Sequence, residues 1–384
     1  MSIQKKKLLI ISHDASRTGA PILLLNLASV LKIHYQISFL INRPNLTILD
    51  RFREYECYVA SRKPGRVRRF MNRFQSESRE TRRVSYDLGT IKRTLADVNC
   101  VISNTLTNGD LLPIVRRFYD GTLVTYVHEL PMASKYFTTE KELKNVINLS
   151  DQFLVPCSTV GDFLEQQLKV PRERIGLLEY YIPDTWKAHS RKGTRPFVVG
   201  GVGTSDWRKG ADLFVQLAKL VFSRQPKADI MFQWIGARTG LDLERLCYDV
   251  EKSGLEGKVE LLPQSDSLGQ FYSTLSLFAL TSREDPYPLV VLEAANSKVP
   301  TVCFDGAGGA PEFVVNSGGG RVIDYLNLDE MAGAVLDYYG NPEMAIEHGQ
   351  KAYSMMVGQH QNKESILRQF DTWLNTVPKE RGMN

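Results

Sequence analysis

Short apolar runs rich in Val, Ile, Leu and Phe alternate along this chain with stretches in which apolar side chains recur every third or fourth position. Leu8–His13 reads as a strand. Pro21–Lys32 reads as a helix with Leu24, Leu27, Ala28 and Leu31 on one stripe and Pro21 in its first turn. Tyr35–Ile41, Cys100–Asn104, Leu123–His128 and Phe153–Cys157 follow as strands. Asp184–Arg195 breaks the rhythm: it carries Lys187, His189, Arg191, Lys192 and Arg195 without apolar periodicity, and reads as a linker. The alternation then restarts with strand Phe197–Gly201, helix Ala211–Val221, strands Ile230–Ile235, Val259–Leu262 and Leu277–Leu280, helix Leu289–Ala295 and strand Thr301–Phe304. Strands separated by helices predict parallel sheets covered on both faces. The expected fold class is α/β, with domains at 1–184 and 196–356 facing each other across a cleft at the carboxyl ends of their strands. A closing segment, 357–384, bears the amphipathic helix Lys363–Asn375.

Composition narrows the class only a little. A chain of 384 residues exceeds one ordinary core, and 43% hydrophobic with 24% charged residues is usual for a globular protein. A net charge of +5 is too small to argue for nucleic acid as a partner. The five cysteines have no zinc-ligand spacing, and Cys100, Cys157 and Cys303 lie in apolar runs, so buried free thiols in a reducing compartment are expected. The apolar run after Met1 is shorter than the core of a signal peptide, and no run reaches the length of a membrane span. A cytoplasmic protein is expected, peripheral on the inner membrane face at most. Arg62–Arg83 holds nine cations interleaved with Phe70, Met71 and Phe74, against only Glu77 and Glu80. That segment suits contact with anionic lipid headgroups or an acidic acceptor, and equally a solvated surface strip.

The carboxylates of Asp285-Pro-Tyr-Pro-Leu-Val-Val-Leu-Glu293 carry the strongest chemical signal. Glu293 falls in a helix that is apolar nearly all round, where an ionised group is costly unless something polar meets it. Asp285 stands eight residues earlier and Glu284 nine; on a helix eight steps return to nearly the same face and nine do not. If both acids serve one ligand, Asp285 is the better partner of Glu293. Val202-Gly-Thr-Ser-Asp-Trp-Arg-Lys-Gly210 joins a strand to a helix, so its amides, Arg208 and Lys209 favour an anion such as a diphosphate. Gly306-Ala-Gly-Gly-Ala-Pro-Glu312 lets a ligand approach the backbone, or is a plain turn. Ser12–Pro21 is a further strand–loop–helix junction with Gly19 in it, lacking both the lysine of a P-loop and the three glycines of a dinucleotide fingerprint. His128-Glu129 closes an apolar strand at its carboxyl end, a place where a histidine is structural or catalytic.

Together these segments resemble the retaining glycosyltransferases of family 4, the group 1 family built from two facing Rossmann-like domains (the GT-B architecture). The resemblance is strongest over Phe197–Tyr325 and runs more loosely back to the first strand. It rests on the two acids separated by seven residues, on Arg208-Lys209-Gly210 and on Gly308-Gly309-Ala310-Pro311-Glu312. It implies that Glu293 grips the ribose hydroxyls of a nucleotide-diphosphate sugar and that Asp285 holds the transferred sugar. Lys209, with Arg208, would hold the diphosphate, and Gln264 the base edge. Gly19 would admit the donor phosphates to the first loop, and His128 would lie beside the reacting sugar. Thr204, Glu284, Pro286, Tyr287, Pro288, Leu289, Gly308 and Gly309 would line the same donor site. The resemblance further implies that the C-terminal helix packs back on the first domain and that no metal or other cofactor is required. The chain departs from the family in having Asp285, preceded by Glu284, as its first acid, and Gly203 and Thr204 where an arginine is common.

The expected reaction is transfer of a sugar to a hydroxyl of a glycan or lipid-linked acceptor with retention at the anomeric carbon. The leaving phosphate would take the acceptor's proton. Two other readings fit the same architecture at this stage: a sugar-nucleotide epimerase or phosphorylase, and a non-catalytic subunit that binds a nucleotide or glycan in an assembly complex.

Overall fold

The structure is a computed structural model that describes residues 5–43, 45–61, 85–183, 196–237, 240–265 and 268–376. Two compact units result, one from the chain up to Tyr181 together with the segment from Lys363, the other from Ile182 to Asn362. Asp184–Arg195 and Arg62–Arg83 lie outside the described residues.

The first unit is built on β1 (Lys6–Ser12), β2 (Tyr35–Ile41), β3 (Glu56–Val59), β4 (Cys100–Asn104), β5 (Thr122–Tyr126), β6 (Gln152–Val155) and β7 (Ile175–Leu177). Among the described residues these form one parallel sheet in the order β3-β2-β1-β4-β5-β6-β7. Leu8, Leu9, Ile10 and Ile11 of β1 are fully buried, because helices cover both faces and the strand cannot alternate apolar with polar. The helix expected over Pro21–Lys32 spans Gly19–Leu31. The chain works outward from β1 to β3 and then crosses back to β4, so the order reverses between β1 and β4. The loops after those two strands therefore flank a crevice of the kind in which open α/β sheets bind ligands.

The second unit repeats the plan with β8 (Phe197–Val202), β9 (Ile230–Ala237), β10 (Val259–Pro263), β11 (Leu277–Leu280), β12 (Thr301–Phe304) and β13 (Gly320–Ile323), in the order β10-β9-β8-β11-β12-β13 and again parallel. Its reversal falls between β8 and β11. Phe214 of the helix Ala211–Arg224 packs edge-on against Phe232 and Trp234, and all three rings are buried.

The helix Lys363–Thr376 completes the first unit rather than the second. Asp371 accepts hydrogen bonds from the Tyr35 hydroxyl at 2.6 Å and meets His34 Nδ1 at 2.7 Å. Phe370 is buried edge-on against Tyr35, and Trp373 covers Gly176 so closely that an added Cβ would sit 2.3 Å from its indole nitrogen. The return to the first unit is thus at Lys363, not at residue 357, and the long helix Pro342–His360 belongs wholly to the second unit. All five cysteines are free, with Cys100, Cys157 and Cys303 buried as their apolar runs imply. Among the described residues no helix is long and apolar enough to cross a membrane.

Candidate active site

In the second unit the chain leaves β8 and β11 in opposite directions, and the loops that follow them are fastened together. Asp206 caps the short turn Trp207–Lys209 by accepting the Lys209 amide at 3.3 Å. Gly210 then takes a left-handed φ of 71°, where a Cβ would lie 2.0 Å from the Thr281 carbonyl oxygen, so both conformation and space require glycine. The Thr281 hydroxyl donates back to the Gly210 carbonyl at 2.8 Å. The Arg208 carbonyl accepts the Arg283 amide, and its guanidinium donates to the Glu284 carbonyl at 2.8 Å. This weld brings Lys209 Nζ to 2.5 Å from Asp285 Oδ2, with Arg208 3.8 Å from the other oxygen.

Asp285 is anchored from the far side by the glycine loop. Its amide donates to Ala307 at 2.7 Å, Gly308 pairs with it as an isolated parallel bridge, and the Gly309 amide reaches the Pro286 carbonyl at 2.8 Å. Gly308 has φ of 145°, and a Cβ there would meet the Asp285 carbonyl oxygen at 1.7 Å. The helix that follows, Leu289–Asn296, buries Val291–Asn296 and leaves Leu289 and Val290 half-buried. Glu293 is 7% exposed and does not face bulk solvent. The buried Tyr272 hydroxyl donates to Glu293 Oε2 at 2.7 Å. Burial pushes the Glu293 carboxyl up to about 7, with the Tyr272 bond opposing.

In the first unit the crevice beside β1 and β4 holds a second polar cluster. His128 Nε2 lies 2.7 Å from Asn104 Oδ1 and Nδ1 lies 2.8 Å from the Tyr180 hydroxyl. The Asn104 amide nitrogen donates to the Ala20 carbonyl at 3.2 Å, which orients the amide so that Oδ1 is an acceptor facing the imidazole. That arrangement calls for a proton on Nε2, donated to Asn104, and leaves Nδ1 to the Tyr180 hydroxyl. Burial, reinforced by His13, holds its pKa down at about 3.

The remaining sequence-predicted residues divide by place. Arg208, Lys209, Glu284, Asp285, Pro286, Gly308 and Gly309 are drawn into one cluster by the contacts above. The Thr204 hydroxyl bonds to Asp206 in the same loop. Tyr287 OH stands 3.1 Å from Nε2 of the fully buried His360, between the buried Pro286 and Pro288. Gln264 is exposed just past the edge strand β10. Gly19 is exposed as the first residue of its helix, and its φ is not left-handed.

The model of the family "Glycosyl transferases group 1" matches residues 183–355, which span the weld, the acids and the glycine loop. Residues 183–355, nearly all of the second unit, are thus similar to that family. Similar proteins include glycosyltransferases. The chain is 24% identical over 241 residues to the lipopolysaccharide core biosynthesis mannosyltransferase LpcC of Rhizobium leguminosarum bv. viciae, covering 60% of this chain and 68% of that one. It is 28% identical over 178 residues to the poly(ribitol-phosphate) alpha-N-acetylglucosaminyltransferase of Staphylococcus aureus, covering 46% of this chain but only 34% of that protein. The fold of the whole chain matches crystallised Anabaena HepE in complex with UDP and glucose, with a TM-score of 0.77 at 15% identity over 97% of this chain and 100% of that one. Two Rossmann-like units of the GT-B type are thus shown.

Sequence reasoning missed Tyr272, Asn104 and Tyr180, the partners of the two polar anchors Glu293 and His128. Asn104 was visible only as a strand end. Tyr272 and Tyr180 stand 21 and 52 residues from the groups they bond, and no local spacing reports such contacts.

Proposed function

We propose that the protein is a retaining, metal-independent glycosyltransferase that moves a sugar from a nucleotide-diphosphate donor to an acceptor hydroxyl in cell-surface polysaccharide or glycolipid synthesis. The observation that carries this reading is the meeting of Lys209 with Asp285 at 2.5 Å, on a segment that leads directly into the helix of the buried Glu293. In this reading Glu293 accepts the ribose hydroxyls and the diphosphate lies against Lys209, Arg208 and the loop amides. Lys209 exchanges its carboxylate partner for phosphate, which frees Asp285 to accept hydroxyls of the transferred sugar. Gln264 meets the base edge. The relatives' names supply the biological setting, and UDP in the structural relative makes a uridine donor the first to try.

The bond from the anomeric carbon to the leaving phosphate oxygen breaks as the bond to the acceptor oxygen forms. Charge grows on the departing diphosphate, where fixed cations stabilise a transition state most. The acceptor's proton passes to that phosphate. Both nitrogens of His128 are engaged and burial lowers its pKa, which supports a positioning role over that of a general base and so a retaining path. His128 and Gly19 belong to the acceptor-side unit, and Arg62–Arg83 would bring it to anionic lipid or a lipid-linked acceptor.

The test is a panel of UDP-, GDP- and ADP-sugars screened by thermal shift, followed by transfer assays on K209A and D285A. Both variants are expected to keep their fold and to lose at least ~10²-fold in kcat, the scale of one removed electrostatic stabiliser. Full transfer by either variant overturns the assignment. Isomerised donor without transfer would instead indicate an epimerase.

A further inference from the structure

Glu129 is a buried carboxylate that the proposed reaction does not use. It is 5% exposed, and no cation is among its partners in the described residues. Instead its oxygens accept the Leu106 amide at 3.2 Å each, the His128 amide at 2.9 Å, and the Thr105 hydroxyl. It thereby ties the end of β4 to the end of β5. Between those contacts Thr105 stands at φ 74° and ψ 161°, a region open in practice only to glycine and a worse place still for a β-branched residue. The conformation persists because its surroundings dictate it. The Thr105 amide is held by the Tyr126 carbonyl at 2.8 Å, and the next amide is held by Glu129. The turn starts from Asn104, the residue that bonds His128 on one side and Ala20 on the other.

We propose that Glu129 is a positioning residue. By accepting the Leu106 and His128 amides it keeps the strained Thr105 turn and the His128 main chain in one frame, and so holds the Ala20–Asn104–His128–Tyr180 chain in register. The relevance of that chain to transfer rests on the proposed function. The clamp is also protonatable: burial pushes the Glu129 carboxyl up to about 7, against the opposing amide and hydroxyl bonds. The titratable side chain next to it in the chain is that of His128, which in turn feels His13, and burial holds both histidines below the ordinary range. As pH falls through this window an O–H replaces one acceptor, and an amide that had a partner is left facing a donor.

The experiment combines nitrogen-15 NMR of the imidazoles with transfer kinetics, on the full chain carrying E129A, E129Q or H128A. In the wild type His128 is expected as a single neutral tautomer, protonated on Nε2, from pH 6 to 8. E129A should release it into averaging tautomers and lower kcat at saturating donor about tenfold, with donor KM unchanged, as loss of alignment does. E129Q, which keeps the shape and one acceptor oxygen, should retain much of the rate and abolish the limb of the kcat–pH profile near neutrality. If E129A does not fold, E129Q carries both measurements. An unchanged His128 spectrum with unchanged kcat and an unchanged pH limb overturns the role of Glu129. Transfer unimpaired in H128A would overturn the part of the proposed function that involves His128, while the tautomer measurement still decides the clamp.

Discussion

At the scale of one residue, Glu293 sets the behaviour of the proposed donor site. Its folded-state pKa, about 7, lies above the ordinary carboxyl value, because burial disfavours the charge more than Tyr272 favours it. Below the ordinary value both folded and unfolded states are protonated and the burial costs little. As pH rises through the folded-state value, the folded protein must hold a charge that the unfolded chain holds more easily, and stability is lost. E293Q should therefore be no more stable than the wild type at pH 4–5 and more stable at pH 8, by on the order of 2–3 kcal/mol, read from denaturant midpoints. The same variant should bind UDP at least about tenfold more weakly at pH 8, because ribose hydroxyls lose a charged acceptor. Wild-type UDP affinity should rise with pH through neutrality. Y272F removes a bond that favours the ionised form, so its affinity midpoint should move to higher pH. An affinity independent of pH from 6 to 8 would detach Glu293 from the ribose.

At the scale of elements, the loops after β8 and β11 and the glycine loop act as one piece, and their glycines are not equivalent. Gly308 has no room: a Cβ would lie 1.7 Å from the Asp285 carbonyl oxygen, at a φ of 145°. Gly306 also has positive φ, 66°, but nothing lies within 4 Å of the added atom. G306A should thus cost only about 1 kcal/mol of backbone strain and spare UDP binding. G308A must push Asp285 away from the loop and should abolish the UDP-induced thermal shift; a normal shift in G308A would show that the bridge to Asp285 is dispensable. These elements also show what a sequence reveals. Buried central strands such as Tyr35–Ile41, Cys100–Asn104 and Thr301–Phe304 announce themselves as apolar runs, and their bounds came out unchanged. Glu56–Val59, Ile175–Leu177 and Gly320–Ile323 escaped notice because they are short, lie at sheet edges and are largely half-buried, with mixed composition. The acids and Lys209 were legible from spacing and local polarity. The weld of Gly210 to Thr281 and the partners of Glu293 and His128 depend on strand order, which brings residues far apart in sequence to one sheet edge.

At the scale of the molecule the decisive fact is that the first unit is discontinuous: its sheet comes from the front of the chain and one of its helices, Lys363–Thr376, from the back. That helix is not an ornament, since Phe370 is fully buried against Tyr35 and Asp371 holds both His34 and Tyr35. Removing a buried phenylalanine ring costs about 3–5 kcal/mol, a large part of one domain's stability. UDP, by contrast, stabilises whatever unit binds it, in proportion to the logarithm of its concentration. The two perturbations should act on different transitions if each unit unfolds as its own cooperative block. Calorimetry of the wild type should then resolve two transitions, one raised by UDP. F370A should lower the other and leave the UDP-responsive one in place, with UDP affinity intact. A stop after Asn362 should have the same effect in stronger form, with first-unit signals lost and the nucleotide response kept. A single transition moved by both UDP and F370A would mean that the helix from the back of the chain ties the two units into one folding block.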